Sequence, residues 1–233
     1  MKSQILKIGI PSKGRLKEMS LSIFKKNKIN IKNSQRSYIS KIKNFKNSEV
    51  VFLHAREIIE RLSDGSLDIG ISGFDLLNES LPGIKNNVQI YKRLQFGFAD
   101  LVVAIPKDRI DVQTIADLEE ISFNFKDKNT GKIRIATKYP NLTNDFLTSK
   151  GVTQYKIVNS LGATEIYPFT NQSEIIADIT STGATLKANK LRILKDGLIL
   201  KSSACLIVSK KSLKDKAKKL ILSNFLKRMK NNY

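Results

Sequence analysis

Tryptophan is absent from the sequence, and cysteine and histidine occur once each, as Cys205 and His54. One cysteine excludes an intrachain disulfide, and a lone histidine leaves no obvious zinc ligand set. No apolar run approaches the roughly 20 residues that cross a bilayer. The opening MKSQILKIGIPSKGR lacks the long hydrophobic stretch of a secretory signal. These absences predict a soluble cytoplasmic protein. Acidic residues are scarce as well: 21 Asp+Glu against 41 Lys+Arg leave a formal charge of +20.

With 233 residues, 41% hydrophobic and 27% charged, the chain can bury a sizeable core. The basic excess raises nucleic acid or another polyanion as a partner. The lysines, however, run through every segment beside many Asn and Ile, which favours compositional drift over a binding surface. The densest cluster, KKSLKDKAKKLILSNFLKRMKNN, places Leu213, Ala217, Leu220 and Ile221 at helical spacing. That pattern predicts a docked C-terminal helix with its lysines in water.

Short apolar runs alternate with helix-period segments. ILKIGI, VVFLHA and LDIGISG read as strands; Leu16, Met19, Ile23 and Phe24 mark a helix, and REIIERLSDG marks another stopped by Gly65. A second series starts near FGFADLVVAIP and continues through KIRIATKYPNLTNDFL, YKIVNSLG, EIIADI, GLIL and SACLIVS. This alternation predicts an α/β architecture with largely parallel strands in two small lobes. Residues 1–97 plus 190–233 are expected in lobe I and 98–189 in lobe II.

The segment ADITSTGATLKANKL, Ala177 to Leu191, carries the most chemistry. A strand ending in Asp178 and Ile179 delivers Thr180, Ser181, Thr182, Gly183, Ala184 and Thr185 to a helix start. Unpaired N–H groups there, with the hydroxyls, suit a phosphate monoester. Asp178 would repel phosphate and is better suited to accept hydrogen bonds from sugar hydroxyls. A phosphate beside a diol describes a phosphorylated ribose. On the residues alone, an ordinary Ser/Thr-capped helix start weighs equally.

This loop resembles the phosphoribosyl-diphosphate loop of the ATP phosphoribosyltransferase family. SKGRL (Ser12–Leu16), DIGISGFD (Asp68–Asp75), KRLQFGFADLVVAIP (Lys92–Pro106), RIATKYPNLT (Arg134–Thr143), SLGATEIYP (Ser160–Pro168) and ILKSSACLIV resemble further family blocks, in family order. The resemblance implies a two-lobed fold similar to type II periplasmic binding proteins, with a cleft between lobes. It implies the reaction of ATP with phosphoribosyl diphosphate to give phosphoribosyl-ATP and pyrophosphate, the first step of histidine biosynthesis, with Mg2+. The chain resembles the short form, which works in a hetero-oligomer with a regulatory subunit similar to histidyl-tRNA synthetase; self-association is also expected. Neither nucleic acid nor membrane is an expected partner. The rival reading is a non-catalytic nucleotide-binding module of the same fold.

Lys13, Gly14 and Arg15 sit in a strand-to-helix turn and can reach a triphosphate or pyrophosphate. Arg56 begins a helix, where a cation opposes the dipole unless an anion is near; with Lys13 and Arg15 it is the expected catalytic set. Arg36 is a weaker pyrophosphate contact. Ser72 and Gly73 offer close backbone contacts to a nucleotide, and Asp75 reads equally as a helix cap. Thr137, Lys138 and Tyr139 end a strand, where an open α/β sheet binds ligands; Tyr139 reads as a base-stacking ring or as packing. Glu165 is a candidate for ribose hydroxyls or magnesium, though no metal ligand set is assigned: the ion is expected on substrate phosphates. The stretch FTNQSEIIA and the form of the SLGATE block depart from the commoner family pattern, which leaves the roles of Glu165 and Glu174 open. His54 reads as a core or edge residue and Cys205 as a small buried hydrophobe.

Overall fold

The computed structural model describes residues 5–32, 37–127 and 131–230, which divide into two compact units, one of residues up to Gly97 and from Ser203 onward, the other of Phe98–Ser202. Among the described residues no helix is long and apolar enough to cross a membrane.

In the first unit, β1 (Leu6–Pro11) leads to α1 (Gly14–Lys26). Then come β2 (Ile39–Lys41), β3 (Ser48–Leu53), α2 (Ala55–Asp64), β4 (Ile69–Gly73), α3 (Phe74–Glu79), α4 (Pro82–Lys85) and β5 (Val88–Arg93). The second unit contains β6 (Ala99–Pro106), α5 (Ile115–Asp127), β7 (Ile133–Thr137), α6 (Pro140–Ser149) and β8 (Tyr155–Asn159). It continues with a 3-10 helix (Thr164–Thr170), β9 (Ile175–Thr180), α7 (Ala184–Ala188) and β10 (Leu191–Ser202). The chain then re-enters the first unit with β11 (Ala204–Ser209), α8 (Lys210–Lys214) and α9 (Lys216–Lys230).

The first sheet has the order β2-β3-β1-β4-β11-β5, with β1, β3 and β4 parallel and β11 antiparallel to both neighbours. Alternation sets its two faces. Leu6, Ile8, Ile10, Ile69, Ile71, Leu206 and Val208 join Phe24 of α1 and Phe225 of α9, whose rings meet edge-on at 5.8 Å. Cys205 and Ile207 point the other way, toward Ile58, Ile59 and Leu62 of α2. A Cβ on Gly70 would run into Ile58 and Leu62, so the bare backbone there is what lets α2 lie down on the sheet.

The second sheet has the order β10-β6-β9-β7-β8; β7 is parallel to β8 and β9, while β6 is antiparallel to β9 and β10. Val103, Ile105, Ile135, Ile175 and Ala177 pack against Ile115 and Leu118 of α5 and Leu147 of α6. The opposite face carries Ala104, Ala136 and Ile176 with Leu186 of α7.

Two expectations change. The return to the first unit falls at Ser202/Ser203 rather than 189/190, because Leu191–Ser202 is a single bulged strand paired along β6. The apolar stripe of the C-terminal helix is Leu222, Phe225, Leu226 and Met229, all buried. Leu213 belongs to the separate α8, Ala217 is exposed, and Leu220 is 70% exposed. The chain breaks at Asp215, which accepts the Ala217 N–H (2.9 Å) and so restarts the helix in a new phase.

Candidate active site

In the first unit β1, β3 and β4 run parallel, so their carboxyl ends lie at one sheet edge, and each delivers a segment singled out in the sequence. Beyond β1, the Ser12 N–H is tied to the Leu53 carbonyl (2.8 Å), and Lys13, Gly14 and Arg15 are exposed. Lys13 is the N-cap residue of α1, with extended backbone and no side-chain cap, and the first turn has no acidic residue. The helix start thus offers amides and two cations to an anion. Beyond β3, exposed His54 precedes α2, and Arg56 lies half-buried in its first turn.

Beyond β4 the picture departs from expectation. The Ser72 hydroxyl is buried and donates to the Ala55 carbonyl (2.7 Å). It therefore fixes the start of α2, and with it Arg56, and the whole residue, backbone included, is buried rather than open to a nucleotide. Asp75 is not the cap of α3, because Gly73 occupies that position. Its buried carboxylate folds back over Gly73, where a Cβ would collide with it.

Two residues passed over in the sequence join this edge. Arg93, at the end of β5, donates from Nε to Ser203 Oγ (3.2 Å) and lies 4.0 Å from the Phe74 ring centroid. The Lys92–Arg93 dipeptide was visible as part of a motif. Its placement beside Phe74 depends on β11 pairing with both β4 and β5, which spacing along the chain cannot reveal.

In the second unit the carboxyl ends of β7, β8 and β9 share an edge. The loop after β9 is built from its own hydroxyls: Thr180 Oγ1 accepts the Gly183 N–H (2.9 Å) and Thr182 Oγ1 accepts the Ala184 N–H (3.3 Å). A hydroxyl used as acceptor keeps its proton to donate outward. Gly183 has φ +73° with nothing within 4 Å of a would-be Cβ, so the left-handed backbone, not crowding, requires glycine. Ser181, Thr182, Ala184 and Thr185 are exposed. The helix that follows, α7, has five residues; its dipole is weak, and the donors are loop amides and hydroxyls.

Asp178 is half-buried and accepts from the Ile179 N–H (2.8 Å) and the Thr164 hydroxyl. Burial pushes its carboxyl above the ordinary 3.8, with the Glu165 carboxylate adding to the rise and Lys138 opposing it. Glu165 and Lys138 thus lie within electrostatic reach of Asp178. Thr164 is itself held by Ser160 (Oγ to Oγ1 2.9 Å).

Thr137 and Tyr139 change role. Thr137 is buried, and its hydroxyl accepts the Tyr139 N–H (2.9 Å). Tyr139 is 6% exposed, which leaves no face for stacking on a base: it is packing. Together they set the turn that presents exposed Lys138. Glu174 lies at the opposite, amino end of β9, paired with Arg134 (2.5 Å). Arg36 lies outside the described residues. Cys205 is wholly buried, and burial pushes its thiol up to about 11.

A family model described as ATP phosphoribosyltransferase matches residues 54–231. The ATP phosphoribosyltransferase of Chelativorans sp. (strain BNC1) is 45% identical over 207 residues, covering 88% of this chain and 90% of its own. The ATP phosphoribosyl transferase (HisG:HisZ) complex from Thermotoga maritima contains a chain with a similar structure: TM-score 0.74 at 28% identity, over 97% of this chain and 96% of that one. The ligand-binding core of GluR0 with L-glutamate is similar in fold alone, with TM-score 0.55 at 13% identity over 97% and 94% of the two chains.

Proposed function

The chain belongs to the ATP phosphoribosyltransferase family, and from that premise we propose how its residues carry the reaction. The 5-phosphoribosyl group of phosphoribosyl diphosphate passes to N-1 of the adenine of ATP, giving phosphoribosyl-ATP and pyrophosphate, in the first step of histidine biosynthesis. The observation that carries this reading is the loop after β9, where amides and outward hydroxyl protons stand beside an Asp178 carboxylate already held in place.

The 5-phosphate takes the donors of Thr180, Ser181, Thr182, Gly183, Ala184 and Thr185. Asp178, with Glu165, accepts hydrogen bonds from the ribose hydroxyls. Cleavage of the anomeric C–O bond leaves positive charge on the ribose and builds negative charge on pyrophosphate. Cationic groups aimed at the leaving group therefore do most of the work. Lys13, Arg15 and Arg56, each at the start of a helix of the first unit, have that charge; Gly14 leaves backbone open to a nucleotide, whereas Gly73 is buried beneath the Asp75 carboxylate, and Lys138 adds a cation near Asp178. N-1 of adenine attacks as a neutral atom, so a strong general base is not required, and none is needed from His54.

A divalent metal fits this chemistry, and magnesium is the ion proposed. Among the described residues no cluster of three His, Cys, Asp or Glu forms a metal cage, so the ion rests mainly on substrate phosphates with Glu165 or Asp178 as hard oxygen donors. When bound it supplies positive charge to the pyrophosphate oxygens. By likeness to the HisG:HisZ complex, the chain is proposed to act in the cytoplasm in a hetero-oligomer with a histidyl-tRNA-synthetase-like regulatory subunit.

The test is mass-spectrometric detection of phosphoribosyl-ATP from ATP, phosphoribosyl diphosphate and magnesium, with and without that subunit. Product in either tube supports the reading, and the difference between tubes measures dependence on the partner. Folded protein that yields none in both overturns it in favour of a nucleotide-binding module.

A further inference from the structure

Two hydrogen bonds grip the junction between β3 and α2 from neighbouring strand ends. Beyond β1, the Ser12 N–H reaches the Leu53 carbonyl (2.8 Å). At the end of β4, the Ser72 hydroxyl reaches the Ala55 carbonyl (2.7 Å). The first bond is backbone to backbone and is indifferent to the side chain at position 12. The second needs a short side-chain donor at position 72. That donor does not meet a substrate, because Ser72 is wholly buried.

The alternation of the sheet turns position 72 toward α2. Ser72 pairs with Cys205 and Gly70 with Ile207, and both partners lie on the face packed against that helix. On this face the body of α2 is seated by missing side chains. A Cβ on Gly9 would meet Leu67 at 2.6 Å and Ile58 at 3.1 Å, and one on Gly70 would meet Ile58 at 2.4 Å. The helix start has no such seat. His54, its N-cap residue, supplies no side-chain cap, and an uncapped first turn is the part of a helix that is held least. The Ala55 carbonyl has two lone pairs, so it can accept from Ser72 and still serve the helix ladder. It also shares one rigid peptide plane with the Arg56 N–H. Holding that carbonyl therefore sets the direction in which Arg56 leaves the backbone.

We propose that Ser72 is a positioning residue for the reaction: it acts through Arg56, holding the first turn of α2 so that the guanidinium meets the departing pyrophosphate. This rests on the role proposed for Arg56. A misplacement of about 1 Å in a catalytic group can cost roughly a hundredfold in rate, so one buried hydroxyl is enough to matter.

Steady-state kinetics of the full chain, with the regulatory subunit present, provide the test. Ser72→Ala is expected to lower kcat about tenfold while KM for both substrates stays within about twofold. The melting temperature is expected to fall by no more than about 4 °C. In Arg56→Ala, which itself lowers kcat, adding Ser72→Ala is expected to change nothing further, because the two residues act as one unit. An unchanged kcat in Ser72→Ala, or losses that add in the double variant, overturns the inference and leaves the role of Arg56 standing. Undiminished kcat in Arg56→Ala overturns both. Ser72→Cys, close in volume and a weak donor, is expected to repeat the loss and carries the test if the alanine variant does not fold. Calorimetric titration of pyrophosphate needs no turnover: Ser72→Ala and Arg56→Ala are each expected to weaken it about fivefold or more. If the parent forms no product, pyrophosphate affinity left intact by Ser72→Ala overturns the inference by itself.

Discussion

Thr180 and Thr182 hold loop amides while retaining protons to donate, so the loop after β9 is pre-formed rather than assembled around its ligand. Hydrogen bonds to a charged group contribute about 1.5–3 kcal/mol each, or roughly tenfold to a hundredfold in affinity. Thr182→Ala with Thr185→Ala is therefore expected to weaken phosphoribosyl diphosphate by at least about tenfold, with ATP nearly unaffected in equilibrium titrations. Equal loss for both substrates would remove the loop from its assigned role. Asp178 gives a prediction of opposite sign for stability. Its folded-state carboxyl titrates above its ordinary value, chiefly through burial, so ionisation costs the fold stability that is intact below the ordinary value and lost as pH rises through the folded one. Asp178→Asn should melt higher than the parent at pH 7, the gain vanishing toward pH 3, while product formation falls. A lower melting temperature at pH 7 would contradict this. The residue types of the loop were legible in the sequence; whether Tyr139 stacks or packs was open there and was decided by burial, which has no signature in spacing.

Among the elements, α8 and α9 are held by one buried acid. Asp68 has a fully buried side chain that accepts from the Lys7 N–H (2.7 Å), Ser212 Oγ (2.6 Å) and Lys218 Nζ (2.8 Å). Removing one partner of a buried pair typically costs about 3–5 kcal/mol, because the other charge is left uncompensated. Asp68→Ala is expected to lose about that much in urea unfolding, and a loss under about 1 kcal/mol, the range of exposed pairs, would show the pair to be solvated. Most strands and α1, α2 and α6 were legible from period alone. The start of α5 carried an unread signal: Thr114 and Asp117 form a reciprocal capping box, with Asp117 Oδ2 accepting the Thr114 N–H (2.8 Å) and Thr114 Oγ1 accepting the Asp117 N–H (3.3 Å). The phase of α9 was misread because a helix with lysines on several sides offers more than one apolar stripe, and only packing against Phe24 and Phe45 selects Phe225.

At the scale of the molecule, the charge of +20 is a solubility and association property before it is a recognition surface. Lysines occur on helices, strands and turns of both units. Binding to duplex DNA should therefore be weak and steeply salt-dependent, falling by about a thousandfold or more between 50 and 200 mM salt if as many as six phosphates are engaged. Product formation should persist over that range. Salt-resistant, sequence-selective binding in a fluorescence titration would instead mark a nucleic-acid function.

The sequence by itself determined the α/β class, the family and the residue types of the β9 loop, because period, turn residues and ordered motifs are local properties of the chain. Only the tertiary structure decided that Leu191–Ser202 is one strand of the second sheet, that Arg93 and Ser203 reach the edge holding Gly73, and that Glu174, at the amino end of β9, pairs with Arg134 away from the loop at the other end. Each of those outcomes rests on strand pairing between residues far apart in the chain, and backbone hydrogen bonds of that kind are indifferent to the side chains a sequence displays.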